Sequence, residues 1–143
     1  MTLYQNCIGI DIGKFTFVAN LHSNKDTHEY ENAPQGMGQF LRDFKRELPK
    51  SLVVLETTGG YEMQVLLTLV HENVAVHRAD ARLVKSFIRS LGQRAKTDAL
   101  DAKALALYGA ERQDRLELFT PPTQTQMTLF ALTQRRNTIF NKY

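Results

Sequence analysis

The sequence contains little cysteine and no long apolar stretch. Cys7 is its single cysteine among 143 residues, which excludes an intrachain disulfide bond and a zinc site built from cysteines. No run of about eighteen apolar residues occurs, so we expect no membrane-spanning helix and no membrane partner. The N-terminus lacks the basic and apolar segments of a secretory signal. These absences together predict a cytoplasmic protein.

The bulk composition is that of an ordinary globular domain, with 43% hydrophobic and 23% charged residues. A chain of 143 residues is long enough for one domain with a real core. The net charge of +3 is unevenly distributed, because residues 77–103 hold seven cationic and three acidic side chains. This segment is therefore basic, whereas the rest of the chain is slightly acidic.

Hydrophobic periodicity predicts a defined series of strands and helices. Strands are expected at residues 7–12, 15–21, 27–32, 51–56 and 74–77, with a tight hairpin turn at Gly13 and Lys14. Helices are expected at residues 34–48, 61–72, after a cap at Asp80, at 98–111 after a cap at Thr97, and at 123–143.

This order predicts an α/β fold with a mixed five-stranded sheet and helices on both faces. The first three strands form an antiparallel meander, and the later strands add in parallel by right-handed crossovers. The first strand is then central, and the fourth strand runs parallel beside it. Residues 1–119 would form this domain, and residues 120–143 would begin a trailing helix.

Two acidic residues stand where these central strands end. Asp11 interrupts an apolar strand, where a lone carboxylate is costly unless a positive charge meets it. Glu56 ends the apolar run 52–55. Because active sites of open α/β sheets lie at the carboxyl ends of strands, we expect the two side chains to be neighbours.

Asp98 and Asp101 form a second acidic pair, spaced to share one face of a helix. Acids in a first helical turn often serve only as caps, which is the alternative interpretation of this pair. If all four carboxylates converge, they match Mg²⁺ or Mn²⁺. Two such ions can activate an attacking oxygen and stabilise a leaving oxygen in phosphodiester transfer.

Three strings resemble the N-terminal RuvC-like, or RNase H-like, domain of the DEDD insertion-sequence transposases, which are relatives of the Piv/MooV DNA invertases. They are Gly-Ile-Asp-Ile-Gly-Lys from Gly9, Leu-Glu-Thr-Thr-Gly-Gly-Tyr from Leu55, and Ala-Lys-Thr-Asp-Ala-Leu-Asp-Ala from Ala95. The resemblance implies that Asp11, Glu56, Asp98 and Asp101 are the catalytic, metal-binding tetrad. It also implies a bacterial, nucleoid-associated enzyme of DNA transposition.

Members of that family carry a second, C-terminal domain with a serine implicated in strand cleavage, after a long helical linker. Residues 120–143 resemble the start of that linker, so the chain is expected to be a fragment without the serine domain, inactive alone. The resemblance further implies DNA as partner and, in some members, a structured guide RNA. The trailing helix would expose apolar residues unless it is paired, which predicts a homodimer or higher oligomer.

The basic segment is predicted to contact a nucleic-acid backbone without reading its sequence. The candidate residues are Arg78, Arg82, Lys85, Arg89, Arg94 and Lys96; a solvated helix face is the alternative. The turn from Gly59 to Tyr61 has two interpretations: its small residues let a nucleic-acid backbone approach, or the turn simply needs glycine. Lys14 likewise either contacts phosphate or is an ordinary turn residue.

Two alternative functions stay open at this point. One is a Holliday-junction resolvase or another nuclease of the same fold, and the other is a non-catalytic module for nucleic-acid binding or dimerisation.

Overall fold

The computed structural model describes residues 3–56, 59–92 and 101–120. Within these ranges the elements follow the predicted order. The strands are β1 (Asn6–Ile12), β2 (Thr16–Leu21), β3 (Thr27–Glu31), β4 (Ser51–Glu56) and β5 (Ala75–Ala79). The helices are α1 (Pro34–Asp43), α2 (Met63–His71), α3 (Ala81–Ser90) and α4 (Ala102–Arg112), with a short 3₁₀ helix at Leu48–Lys50.

The strands form one mixed sheet in the order β3-β2-β1-β4-β5. Strand β2 pairs antiparallel with β1 and β3, whereas β4 pairs parallel with β1 and β5. The predicted α/β class is therefore confirmed, as are the antiparallel first three strands, the central first strand and the parallel fourth strand beside it. This topology is that of the RNase H-like fold.

Helices cover both faces of the sheet, as predicted, because the central strands are apolar on both sides. On one face Ile8, Ile10 and Ile12 pack with residues of α1 and α2. On the other face Cys7 and Val54 pack with residues of α3 and α4. Asp11, which follows Cys7 and Gly9 in the strand alternation, belongs to the α3/α4 face.

Helix α1 is shorter than predicted, since it ends at Asp43 rather than at residue 48. The apolar periodicity continues beyond the helix because Phe44 and Leu48 are still buried in the same core. The chain then forms a short 3₁₀ helix, Leu48–Lys50, with Pro49 in its first turn, where a missing N–H is tolerated.

The start of α4 also differs from the prediction. The helix begins at Ala102, and Asp101 is its N-cap, with an extended backbone and Oδ1 accepting a hydrogen bond from the Ala104 N–H at 2.8 Å. Asp101 is therefore not in the helical turn that was predicted for it. Thr97, the expected cap, and the predicted helix 123–143 lie outside the described residues.

The hairpin between β1 and β2 has a longer turn than predicted. The Gly13 N–H donates to the Thr16 carbonyl at 2.8 Å, so Phe15 lies in the turn and not in β2. Its side chain is 75% exposed. At the other side of the sheet β5 runs two residues further than predicted, through Arg78 to Ala79.

Among the helices of the described ranges, none combines the length and hydrophobicity that crossing a bilayer requires.

Candidate active site

Asp11 and Glu56 are direct partners in the parallel pairing of β1 with β4. Paired residues of neighbouring strands project to the same face, and such strands lie about 4.8 Å apart. Both residues are partly buried at the carboxyl ends of their strands. The predicted meeting of these two carboxylates is thus a consequence of strand register.

The electrostatics of the two carboxyl groups reflect this proximity. Burial raises the pKa of Asp11 above its ordinary value, and the negative charge of Asp101 raises it further. Burial also raises the pKa of Glu56, as does the charge of Asp11, while the Lys85 ammonium lowers it. Three carboxylates, from β1, β4 and the start of α4, therefore interact at one corner of the sheet.

Two glycines allow α4 to approach the sheet closely. A Cβ atom on Gly9 would collide with the carbonyl oxygen of Ala102 and the backbone nitrogen of Ala106. A Cβ atom on Gly109 would collide with Cys7 Sγ. Because the N-terminus of α4 rests on Gly9, two residues before Asp11, the preceding cap residue is brought to that carboxylate.

Sequence reasoning overlooked these packing glycines, although a signal was present. Gly9 is two residues before Asp11, hence on the same face of the strand, and Gly109 interrupts an otherwise strongly helical run. A glycine inside a strand often marks close approach of another backbone.

Asp101 is a helix cap, which is one of the two interpretations that the sequence left open. Its negative charge also raises the pKa of Asp11, while its role as a metal ligand stays a prediction. Asp98 lies outside the described residues, as do Arg94 and Lys96. Within the described ranges, no group of three or more His, Cys, Asp or Glu side chains is arranged to hold a metal ion. The metal tetrad therefore stays a prediction.

The predicted cationic residues fall into different environments. Lys85 on α3 lies close enough to Glu56 to influence its titration. The exposed side chains of Arg82 and Arg89 are on the same helix, and Arg82 Nη2 is 3.5 Å from Asp80 Oδ2. Their contact with nucleic acid stays a prediction.

Arg78 has a structural partner that the sequence did not reveal. Its Nη2 donates to Glu62 Oε1 at 2.8 Å, and the Glu62 side chain is only 2% exposed. Glu62 is the N-cap residue of α2, so this ion pair connects the start of α2 to β5.

Residues 8–143 match the model of a transposase family, the IS110-type DEDD transposases. The chain belongs to this family. This match confirms the resemblance that the three sequence strings indicated.

Two curated relatives of this transposase chain are pilin gene-inverting proteins from Moraxella lacunata and Moraxella bovis. Each is 28% identical over 134 residues, which cover 90% of this chain and 41% of the relative. The chain thus spans about two fifths of the length of the curated relatives that it matches.

Proposed function

We propose that this chain is the catalytic, metal-binding domain of a DNA transposase or invertase. The register pairing of Asp11 with Glu56 at the carboxyl ends of β1 and β4 carries the proposal. Family membership and the gene inversion named for the two relatives agree with it.

The donor set fits Mg²⁺ or Mn²⁺. Carboxylate oxygens are the ligands that these hard cations take. The raised pKa values of Asp11 and Glu56 reflect burial first and then repulsion by one neighbouring carboxylate each, Asp101 for Asp11 and Asp11 for Glu56. A cation between the carboxylates would offset both costs. Asp11 and Glu56 would hold the ion, because strand register makes them direct partners. Asp101 and Asp98 are the predicted further ligands.

The bound ion would stabilise charge on the oxygens of a phosphodiester during strand cleavage and transfer. The protein contributes the placement of the ligands. Strand register fixes Asp11 beside Glu56, and the close contact of α4 with Gly9 positions Asp101. Lys85 and the exposed cations of α3 would position the DNA backbone next to these acids.

Isothermal titration of Mn²⁺ into the purified chain tests the proposal. We expect Asp11→Asn and Glu56→Gln to weaken Mn²⁺ binding by at least about tenfold, because each removes a charged ligand. Asp101→Asn should weaken it too, while the melting temperature stays near that of the wild type because asparagine still caps a helix.

Glu29→Gln is the matched control, since Glu29 is an exposed acid on β3, at the far edge of the sheet. Unchanged Mn²⁺ binding in both the Asp11 and the Glu56 variants would contradict the metal site and favour the non-catalytic nucleic-acid module. In a recombination assay, strand exchange retained by Asp11→Asn would remove this residue from the chemistry.

DNA is the proposed partner of this domain. The guide RNA, the homodimer and the boundary of the domain at residue 119 stay predictions from the sequence.

A further inference from the structure

An open groove of about 500 Å³ lies at the same end of the strands as the acidic residues, but on the α2 face of the sheet, opposite to the face that carries Asp11. Its lining includes Lys14, Asn32, Tyr61, Met63, Gln64 and Leu67. Lys14 is three residues beyond Asp11, and Gly60, which also lines the groove, is four residues beyond Glu56. At no more than about 3.6 Å per residue, the groove begins within about 14 Å of both acids.

Exposed aromatic rings occur at this end of the strands. Among the described residues, the large aromatic side chains that stay well exposed are Phe15, at 75%, and Tyr61, at 42%. Phe15 adjoins Lys14, whose Nζ lies 5.2 Å from the centre of its ring. Aromatic faces next to a cation are the features by which proteins hold unpaired nucleotides.

The groove is held in shape by Asn32, which connects the turns that follow β1 and β4. Its Nδ2 donates to the Gly13 carbonyl at 2.9 Å and to the Tyr61 carbonyl at 3.1 Å. Within the described residues, its buried Oδ1 accepts no hydrogen bond. A ligand with an N–H donor would satisfy this acceptor.

We propose that this groove binds an unpaired nucleotide of the DNA strand on which the acidic site acts. The base stacks on Tyr61 beside the apolar lining residues Met63 and Leu67, and an N–H donor of the base, such as the ring N3–H of thymine, lies toward Asn32. The Lys14 ammonium contacts the phosphate. This proposal rests on the proposed function, because it assumes that the acidic site acts on a DNA strand.

Fluorescence anisotropy with a labelled oligothymidylate, in EDTA, tests the site independently of metal. We expect Tyr61→Ala to raise Kd about tenfold, because it removes the aromatic face on which one base stacks. Tyr61→Phe keeps the ring and should bind like the wild type, and Lys14→Ala should reduce the salt dependence of binding.

Leu3→Ala and Lys45→Ala are the controls, since both residues are exposed and lie away from this groove. Replacing one thymine with 5-iodouracil and irradiating the complex should crosslink Tyr61, as mapped by mass spectrometry. This readout uses the wild-type chain, so it holds even if the alanine variant does not fold.

A folded Tyr61→Ala variant with unchanged Kd would overturn the proposal, as would crosslinks confined to α3. Tighter binding of duplex DNA or of the matching oligoribonucleotide than of the single DNA strand would overturn the assignment of the occupant. The anisotropy assay contains EDTA, so it reports on the groove whether or not the acids bind metal. A chain that fails to bind Mn²⁺ but shows the Tyr61 effect would therefore refute the metal site and not the groove.

Discussion

Asp11 and Glu56 are costly to the folded chain when no cation is present. Each is partly buried, which raises its pKa. The negative charge of Asp101 raises the pKa of Asp11 further, and that of Asp11 raises the pKa of Glu56. A hydrophobic pair at the same two positions would pack into the sheet without this penalty. The acids are therefore better explained by a ligand that they bind than by stability.

The pH dependence of stability should expose this cost in EDTA. The folded chain holds protons on Asp11 and Glu56 at pH values where the unfolded chain, with ordinary pKa values of 3.8 and 4.5, has lost them. The contribution of these groups to the free energy of unfolding is thus fully present below those values and is lost as pH rises through the raised folded pKa values.

Urea denaturation between about pH 4 and pH 8 measures this loss, which should stay below about 1 kcal/mol because solvent screens partly exposed groups. The Asp11→Asn/Glu56→Gln double variant provides the control, since it lacks both titrating groups. If the difference in free energy of unfolding between the two chains does not change with pH, then folding does not raise the pKa values of Asp11 and Glu56.

At the scale of elements, the contact between α4 and the sheet organises the site. Gly9 and Gly109 remove the side chains that would hold the helix away from β1. The helix can then direct its N-terminal cap, Asp101, toward Asp11. A wider spacing would leave Asp101 as a cap alone.

Gly109→Ala should destabilise the chain by about 1–3 kcal/mol, because the new methyl group meets Cys7 Sγ and, at 2.6 Å, Val54 Cγ2. Gly38→Ala is the matched helical control. Its Cβ would come no closer than 3.5 Å to Arg42 Nη1, so the higher helix propensity of alanine should stabilise α1 by about 0.5–1 kcal/mol.

Thermal or urea unfolding of the two variants measures the difference. Stabilisation by both substitutions would show that α4 does not rest on β1 as closely as described.

At the scale of the whole molecule, the ion pair of Arg78 with Glu62 joins one edge of the sheet to α2. Glu62 is buried, and its Oε2 has no hydrogen-bond partner within the described residues. Arg78 is thus the compensating charge for a carboxylate that has almost no contact with water.

Arg78→Ala should lower the free energy of unfolding by about 1–3 kcal/mol, since it leaves the Glu62 carboxylate buried and unpaired. Arg82→Ala removes only an exposed cation and should change stability by less than about 0.5 kcal/mol. Urea denaturation distinguishes the two.

Equal, negligible effects would mean that the Arg78–Glu62 pair contributes nothing to the fold. The same comparison is needed to interpret DNA-binding experiments. Weaker binding by an Arg78 variant has to be corrected for the fraction of the chain that is unfolded.

The sequence by itself determined the order of the elements, the two-sided burial of the central strands and the candidate acids. Alternation, helical periodicity and an acid in an apolar run are local patterns, so the residues at 7–12 and 51–56 reveal them directly. The same patterns led to the family through the strings around Asp11 and Glu56.

Only the tertiary structure decided which residues interact across the chain. Strand order predicted Asp11 and Glu56 as neighbours, but the register that makes them direct partners is visible only in the structure. The interaction of Asp101 depends on how closely α4 rests on Gly9. The exposure of Phe15 and the partner of Arg78 depend on turn length and on side chains distant in sequence. Local periodicity gives no information on the distance between such segments, because packing across the sheet sets that distance.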